Sequence, residues 1–343
     1  MDVVTTTGSY TAYITGDNPI TGTGIKLQIL KQSISHKGVG FGAPSECPEG
    51  FIRVPGNPEF NQPGFCVMKY EATYEDATVP NLAIACAGGA CNSANYLIGK
   101  VPVSKPLLYP VGNLRQSEAI DACKSIGEGY HLITNNEWMT IARNIESQGG
   151  NWTGNSVGNG SIFRGLGGDE SNTSISPGCK GSDSQGFYSS GFRIAAPLNQ
   201  DTTKWGSNKG SDCDSKRQHI LSNGEIIWDI SGNMWDYVNG GNSLDGLNNT
   251  VNGSICTVNS RLEYTTCIFV SPYSYSNQGP KTLNLNTSNG IGVVSGNGTA
   301  GSIFIRGSSD NNDTVLGTRN GIYTLFARSP IQAHPIVGFR CAK

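Results

Sequence analysis

The chain has 343 residues, and its 24 Lys and Arg against 26 Asp and Glu give a formal net charge of −2 at pH 7. A nucleic-acid-binding surface usually needs a basic excess, so this balance argues against nucleic acid as a partner. Only 15% of the residues are charged and 46 are glycine, a composition that disfavours long helices and favours a loop-rich fold with short strands. No run of about 18 apolar residues occurs, so membrane insertion is not expected either.

The ten cysteines bear on compartment and metal chemistry. No CxxC pair occurs and only four histidines are present, so a zinc site built from Cys and His is poorly supported. An even number of cysteines in a loop-rich chain favours disulfides and an oxidising environment; the alternative is a set of buried thiols in a cytosolic protein. Residues 1–20 have neither a basic start nor an apolar run, so no signal peptide is visible.

The first 44 residues are polar and strand-like. Short apolar alternation occurs at Tyr10, Ala12 and Ile14, and a turn-forming stretch at residues 16–19 interrupts it. We interpret residues 1–44 as a small strand or hairpin segment that attaches to a larger assembly. Residues 45–343 are interpreted as one larger domain.

Two short strands are predicted next, near residues 51–55 and 64–73. Cys47 and Cys66 are placed to join the ends of this hairpin, and Cys86 and Cys91 are placed to close a small ring in the Gly/Ala-rich loop that follows. Sequence alone does not fix disulfide connectivity, so these pairings stay open.

Two amphipathic helices follow. The first is predicted to begin at the N-cap Ser117 and to end before Gly127 and Gly129. The second has Thr134 as its N-cap and Glu137 three residues later, which is a capping box. Its apolar residues then recur at helical spacing and predict a core-facing stripe, made up of Trp138, Ile141, Ala142 and Ile145.

Two long polar tracts are predicted to be insertions, near residues 148–215 and 239–300. Cys179 with Cys213, and Cys256 with Cys267, are candidate staples within them. Between the tracts, strand-like residues 225–230 lead through a Ser-Gly-Asn turn to residues 234–237. Loops this long are usually functional or poorly ordered.

The last stretch, residues 303–343, has unusual chemistry. In a strand over residues 322–328, one face would carry Tyr323, Leu325 and Ala327, which suits a core. The other face would mix β-branched, aromatic and cationic residues, which suits a surface that contacts a ligand. The alternative is an ordinary edge strand with two exposed apolar residues.

Five motifs, in this order, resemble one superfamily. They are FCVMKYEAT at 65–73, the first helix with Cys123 followed by HLITNNEW at 131–138, SGNMWD at 231–236, RGS at 306–308 and GFRC at 338–341. Over roughly residues 45–343 the chain resembles the formylglycine-generating, sulfatase-modifying type of C-type lectin fold. The resemblance implies an α+β fold with two helices packed on short twisted antiparallel sheets, and it implies a disulfide between Cys123 and Cys341.

Enzymes of this superfamily carry residues that the chain lacks. Sulfatase-modifying members use a cysteine pair between the Arg-Gly and Gly-Phe-Arg motifs, and residues 309–339 contain no Cys. Related iron-dependent enzymes need a histidine cluster, which four scattered histidines do not supply. An enzymatic role is therefore disfavoured, because function depends on the site rather than on the fold.

The C-terminal segment resembles instead the variable region of diversity-generating retroelement proteins, whose C-terminal codons are rewritten by a reverse transcriptase. The chain keeps RGS at 306–308, GIYTL at 321–325, SP at 329–330 and GFRC at 338–341, although Ser308-Ser309-Asp310 departs from the usual Gly-Ser-Trp. The resemblance implies a variable ligand-binding region at residues 303–343. The candidate ligand-binding residues are Ser309, Asp310, Asn312, Asp313, Arg319, Thr324, Phe326, Arg328, Gln332 and His334.

The resemblance implies further properties. No cofactor is required, and Asn233 and Asp236 mark a candidate Ca²⁺ position, since oxygen ligands suit that ion. The partner would be an unknown macromolecular surface ligand, a protein or a glycan, met outside the cell on a virion or cell surface, with oligomer or virion assembly assigned to residues 1–44. The alternatives are a sulfatase-modifying-type enzyme and a structural fibre or attachment module on the same fold.

Overall fold

A computed structural model describes the chain in segments. These are residues 2–6, 9–13, 40–75, 99–106, 108, 110–165, 217–241, 263–264, 266–269, 273–282, 284–286, 289–295, 302–308, 320–328, 333 and 337–343. Of residues 2–6, 9–13, 241 and 328 only the backbone is described. The chain divides into two compact units, Met1–Gly38 and Val39–Lys343.

The first unit contains an antiparallel hairpin. Strand β1 (Asp2–Thr6) pairs with β2 (Ser9–Tyr13), and Asp2 lies opposite Tyr13 in the register.

In the second unit, a four-stranded sheet has the order β3-β4-β13-β5, and every neighbouring pair is antiparallel. Its strands are short, and the chain's last strand lies inside the sheet rather than at its edge. The strands are β3 (Phe51–Val54), β4 (Phe65–Met68), β5 (His131–Leu132) and β13 (Cys341–Ala342). A separate two-stranded ladder pairs β6 (Gln218–Ile220) with β7 (Ile226–Trp228).

A five-stranded sheet has the order β12-β8-β10-β11-β9. Its strands are β8 (Trp235–Gly241), β9 (Val294–Ser295), β10 (Ile303–Arg306), β11 (Leu325–Arg328) and β12 (Val337–Phe339). The expectation of antiparallel sheets is wrong here, because β12 runs parallel to β8 and β11 runs parallel to β9. These pairs join strands far apart in sequence, and local alternation carries no information about such pairing.

Three α-helices are described, besides two 3-10 turns at Pro58–Phe60 and Gly149–Asn151. Helix α1 (Gln116–Ser125) begins one residue before the predicted N-cap, so Ser117 is inside the helix, and Arg115 is the N-cap instead. The Arg115 N–H donates to Glu118 Oε2 at 2.7 Å, so an acidic side chain three residues on caps the helix start. Helix α2 (Asn135–Glu146) confirms the predicted capping box of Thr134 and Glu137, and α3 (Tyr275–Gln278) is a single short turn.

The five-stranded sheet is buried on both faces. Along β10, Phe304 packs into one core cluster with the Trp138 stripe of α2, whereas Ile303 and Ile305 pack into a second cluster with Cys123 of α1. This alternation is the ordinary consequence of strand geometry. Because both faces are covered, β10 reads in the sequence as a continuous apolar run.

Parts of both tracts that were predicted to be insertions belong to the core. Trp152 and Ile162 from the first tract are fully buried, as is Ile291 from the second. The second tract also supplies β9 to the five-stranded sheet. In the described part of the chain, no helix is long and apolar enough to cross a membrane.

Disulfides connect Cys47 with Cys66 and Cys123 with Cys341, the same two pairs that the sequence suggested. The second disulfide ties α1 to the last strand. Cys267 is also disulfide-bonded, while its candidate partner Cys256 lies outside the described residues. The other candidate pairs, Cys86 with Cys91 and Cys179 with Cys213, lie outside them as well. The described part of the chain is therefore mixed α/β, with few helices, small sheets and disulfides.

Candidate ligand-binding site

The candidate segment starts from a fully buried arginine at the end of β10. The Arg306 guanidinium donates to Asn135 Oδ1 at 2.7 Å, to Tyr323 O at 3.1 Å and to Gln278 Oε1. Its Nη1 also lies 3.4 Å from Tyr264 Oη. These partners are uncharged, and burial lowers the pKa of Arg306. The arginine thus fixes three neighbouring elements by hydrogen-bond geometry rather than by ion pairing.

The two residues after Arg306 have left-handed backbone. A Cβ added at Gly307, where φ is +85°, would lie 2.9 Å from Ile230 O, so only glycine fits. Ser308 follows with φ 71° and is fully buried. Serine at positive φ is uncommon, so the backbone at the end of β10 is tightly determined.

The other end of the segment is a second fully buried arginine, Arg340, after β12. Its Nε donates to Asp236 Oδ2 at 2.9 Å, and its Nη2 donates to Asp229 O at 2.8 Å. The next residue, Cys341, is covalently bound to Cys123. This end of the segment is therefore held by an ion pair and a disulfide.

A buried acidic cluster surrounds Arg340. Burial and the nearby Asp229 and Asp236 carboxylates raise the pKa of Glu71 well above its usual range, while Arg340 and Arg217 oppose the rise. Burial also raises the pKa of Asp236 to about 6 despite its pairing with Arg340. Three carboxylates and two guanidiniums thus share one buried volume.

The cluster includes both residues of the candidate Ca²⁺ position. Asn233 Nδ2 donates to Glu71, and Asp236 Oδ2 is taken by Arg340. In these two described side chains, one oxygen each has no hydrogen-bond partner: Asn233 Oδ1 and Asp236 Oδ1. Ca²⁺ takes about six to eight oxygens. No described group of three His, Cys, Asp or Glu is arranged to hold a metal. With two guanidiniums already neutralising the acids, Asn233 and Asp236 do not fit a Ca²⁺ site in this arrangement.

The middle of the segment begins with a turn, not a strand. Thr324 N donates to Gly321 O at 3.0 Å, and regular pairing with β10 starts only at Leu325. The predicted alternation is therefore wrong before Leu325: Ile322 is fully buried, and Thr324 is 1% exposed. Gly292 packs so closely that a Cβ there would lie 1.9 Å from Thr324 Oγ1. Thr324 is thus a frame residue, and its side chain does not face a ligand.

Phe326 is the candidate whose described side chain reaches solvent. It is half-buried, and its ring centroid lies 6.1 Å from that of the buried Trp235 on β8. On β10, Ile305 is its cross-strand partner. A partly exposed aromatic ring that packs on a buried one is suited to bury apolar area of a ligand, worth on the order of 2 kcal/mol if fully covered.

The remaining candidates cannot be placed in the site. Arg328 ends β11, and only its backbone is described. The other candidates lie outside the described residues and stay predictions: Ser309, Asp310, Asn312, Asp313, Arg319, Gln332 and His334.

Several residues that shape the site were not singled out from the sequence. Tyr264 and Gln278 lie in a tract that looked like an insertion, and no local pattern links them to Arg306. Glu71 could have been found from the sequence, because an acidic residue within the largely apolar motif at 65–73 predicts a buried carboxylate with a partner.

Comparisons with known proteins establish no family. No family model matches the chain, and no curated protein matches it. Among solved structures, the chain is similar to PvdO from Pseudomonas aeruginosa, with 13% identity, a TM-score of 0.33, and 82% of this chain and 80% of that chain covered. It is also similar to Treponema denticola variable protein 1, with 11% identity, a TM-score of 0.31, and 86% and 99% covered. Similarities this low carry no argument about what the chain does.

Proposed function

We propose that this chain is a non-enzymatic ligand-binding protein of the receptor or adhesin type. Its C-terminal segment, residues 303–343, would be diversified by a retroelement so that target recognition varies. The proposed fold is the C-type lectin fold of the formylglycine-generating type. The proposed setting is extracellular, on a virion or cell surface, with a protein or glycan as the ligand and no metal required.

The observation that supports this proposal is the burial of every described residue that carries a segment motif. The described motif residues are all buried: Arg306, Gly307, Ser308, Gly321, Ile322, Tyr323, Thr324, Leu325, Gly338, Phe339, Arg340 and Cys341. Phe326, at a position where the motif prescribes no residue, reaches solvent. A fixed frame that carries replaceable residues is what a variable binding site needs, because a rigid base limits the ordering cost of binding.

The cysteines of the described residues have structural roles. All five described cysteines, at positions 47, 66, 123, 267 and 341, are in disulfides and offer no thiolate nucleophile. The two described histidines also have protein partners: His131 contacts Glu137 at 2.9 Å, and His219 Nε2 lies 2.8 Å from Phe163 O. Both rings are thus engaged in structural contacts.

The hairpin unit supports a separate role for the N-terminal residues. The unit Met1–Gly38 is compact in itself, as an attachment or assembly module would be. We include assembly through residues 1–44 in the proposal. Deleting Met1–Gly38, which leaves the second unit whole, should abolish oligomerisation or virion attachment and leave ligand binding intact.

The proposal is tested by sequencing the locus in many isolates, including the DNA downstream of codon 343. We expect a near-copy of codons 303–343 close to a reverse transcriptase gene, with differences between isolates confined to adenine positions of that copy. The codons of Arg306 and Arg340 should be invariant. Invariant codons throughout the segment, with no copy nearby, would refute diversification and leave a static attachment role.

A further inference from the structure

The turn that precedes β11 accepts hydrogen bonds from three buried side chains. Ile322 O accepts a hydrogen bond from Trp138 Nε1 at 2.8 Å. Tyr323 O accepts from Arg306 Nη1 at 3.1 Å and from the Tyr264 hydroxyl. All three donor side chains are buried. Two consecutive carbonyls of the turn are therefore fixed by three side chains from three different parts of the chain.

The side chain of Tyr323 is anchored in the same way. Its hydroxyl donates to the Glu146 carboxylate at the end of α2. The same carboxylate accepts the backbone N–H of Lys281 at 3.0 Å. The end of α2, Lys281 and the Tyr323 side chain thus meet at the Glu146 carboxylate.

Tyr264 is itself held rigidly. Its ring packs against Phe269, Tyr275 and Tyr323, with ring centroids 6.0 to 6.4 Å apart. Gly279 lies against the same ring, since a Cβ there would be 2.6 Å from Tyr264 Cδ1. A hydroxyl on so constrained a ring donates to one acceptor in one direction, and leaving the Tyr323 carbonyl less satisfied in a buried site is costly.

We infer that Tyr264 is a positioning residue for the binding segment: it fixes the Ile322–Thr324 turn from outside, so that β11 keeps its conformation when residues at its ligand-facing positions change. This inference rests on the proposed function of residues 303–343. It makes the tract around Tyr264, which resembles an insertion in the sequence, part of the frame that presents Phe326. Recognition would then vary through side chains while the start of β11 stays in place.

The test compares Tyr264→Phe with the matched control Tyr275→Phe. The first substitution removes the hydroxyl that bonds Tyr323 O and keeps the ring. The second removes a hydroxyl from a neighbouring ring of the same cluster that makes no described hydrogen bond to the turn. Native-state hydrogen exchange is measured on the full chain for the amides of Tyr323, Thr324 and Leu325, with and without Phe326→Ser. No ligand is needed, so the result does not depend on whether the segment is diversified in nature.

We expect Tyr264→Phe to raise exchange at these three amides by roughly tenfold, and Tyr275→Phe to change it less than about twofold. Phe326→Ser should leave exchange at the turn almost unchanged in the wild-type background and raise it further in the Tyr264→Phe background. Equal exchange in the two tyrosine variants would overturn the inference. A strong effect of Phe326→Ser in the wild-type background would overturn it as well, because the turn would then depend on the variable face.

Discussion

The two buried arginines at the ends of the C-terminal segment are held by different kinds of partner. Arg306 is surrounded by the uncharged oxygens of Asn135, Gln278 and Tyr323. Arg340 faces the Asp236 carboxylate within a cluster that also holds Glu71 and Asp229. Both side chains are fully buried, so the difference lies in their partners and not in their exposure.

The Arg306 end therefore depends on hydrogen-bond geometry, whereas the Arg340 end depends on charge balance. Uncharged partners make the Arg306 end insensitive to mild changes in pH and let it define directions, including those of the turn before β11. The Arg340 end carries three acids against two arginines, so it is coupled to proton uptake and depends on charge balance. A disulfide follows directly at that end, and none is described next to Arg306.

The largest expected effect concerns the disulfide between Cys123 and Cys341, which follows Arg340. Cys123 and Cys341 are 218 residues apart, so by the chain-entropy estimate replacing both with alanine should lower the free energy of unfolding by about 5 kcal/mol. Cys47 and Cys66 are 19 residues apart and serve as the control, with an expected loss of about 3 kcal/mol. Urea unfolding of the two double variants measures both losses. A larger loss in the control would show that the last strand does not depend on its covalent tie.

The next largest effect distinguishes the ion pair of Arg340 with Asp236 from the uncharged hydrogen-bond network of Arg306. Arg340→Met leaves Asp236 buried beside two other acids and should cost about 3 to 5 kcal/mol, as breaking a buried pair usually does. Adding Asp236→Leu should recover part of that loss, because the uncompensated charge is then removed. Denaturation of the single and double variants measures the recovery. Arg306→Met leaves only uncharged oxygens without a donor, so truncating one of them, as in Asn135→Leu, should recover less stability than Asp236→Leu does. Equal recovery in the two pairs of variants would contradict the contrast.

The acidic cluster also predicts how stability depends on pH. The folded state raises the pKa of Asp236 to about 6, so it binds a proton more tightly than the unfolded chain. This contribution to stability is present below the ordinary Asp value near 4 and is lost as the pH rises through 6, by on the order of 3 kcal/mol. The raised pKa of Glu71 acts with the same sign.

Glu71→Gln provides the matched variant for this pH dependence. Removing one of the three acids should make the decline of Tm between pH 5 and pH 8 shallower. His131 adds a residual decline. Burial lowers its pKa, but the hydrogen bond and charge of Glu137 outweigh burial, so the pKa is raised overall. The stability that this raised pKa contributes is also lost with rising pH. A wild-type Tm that increases steadily from pH 5 to pH 8 would show that the cluster does not hold its acids in this way.

The smallest expected effect concerns Ca²⁺. Because Arg340 and Glu71 already engage Asp236 and Asn233, millimolar Ca²⁺ and EDTA should give the same Tm within about 1 °C. A ligand that binds only the folded state must stabilise it, and at 100 times its dissociation constant the gain is about 2.7 kcal/mol. A Ca²⁺-dependent rise in Tm that disappears in Asp236→Asn would restore the metal site.

Local features of the fold were predictable from the sequence, whereas long-range pairing was not. The α2 capping box at Thr134 and its apolar stripe depend on neighbours within a few residues, and the structure has both. The parallel pairing of β12 with β8 joins residues about 100 positions apart, for which alternation gives no signal. At α1, the Glu118 side chain caps the helix, so the preferred N-cap type at Ser117 was misleading.

The candidate site was predictable only in part, for the same reason. Phe326 is partly exposed as expected, because alternation holds once β11 is regular. Thr324 is buried because a turn replaces the strand at that point, and Gly292 packs against it. Tyr264 could not have been found, since its role depends on a tertiary contact across 59 residues.

One measurement tests most directly the division of residues 303–343 into a fixed frame and replaceable positions. Every single substitution in this stretch is displayed on cells and scored for protease resistance. Resistance should be lost for most substitutions at Arg306, Tyr323, Thr324, Arg340 and Cys341. It should be retained for most substitutions at the remaining candidates: Ser309, Asp310, Asn312, Asp313, Arg319, Phe326, Arg328, Gln332 and His334. If the two groups tolerate substitution equally, or if Arg306 and Arg340 are freely replaceable, the segment is not a variable surface on a fixed frame.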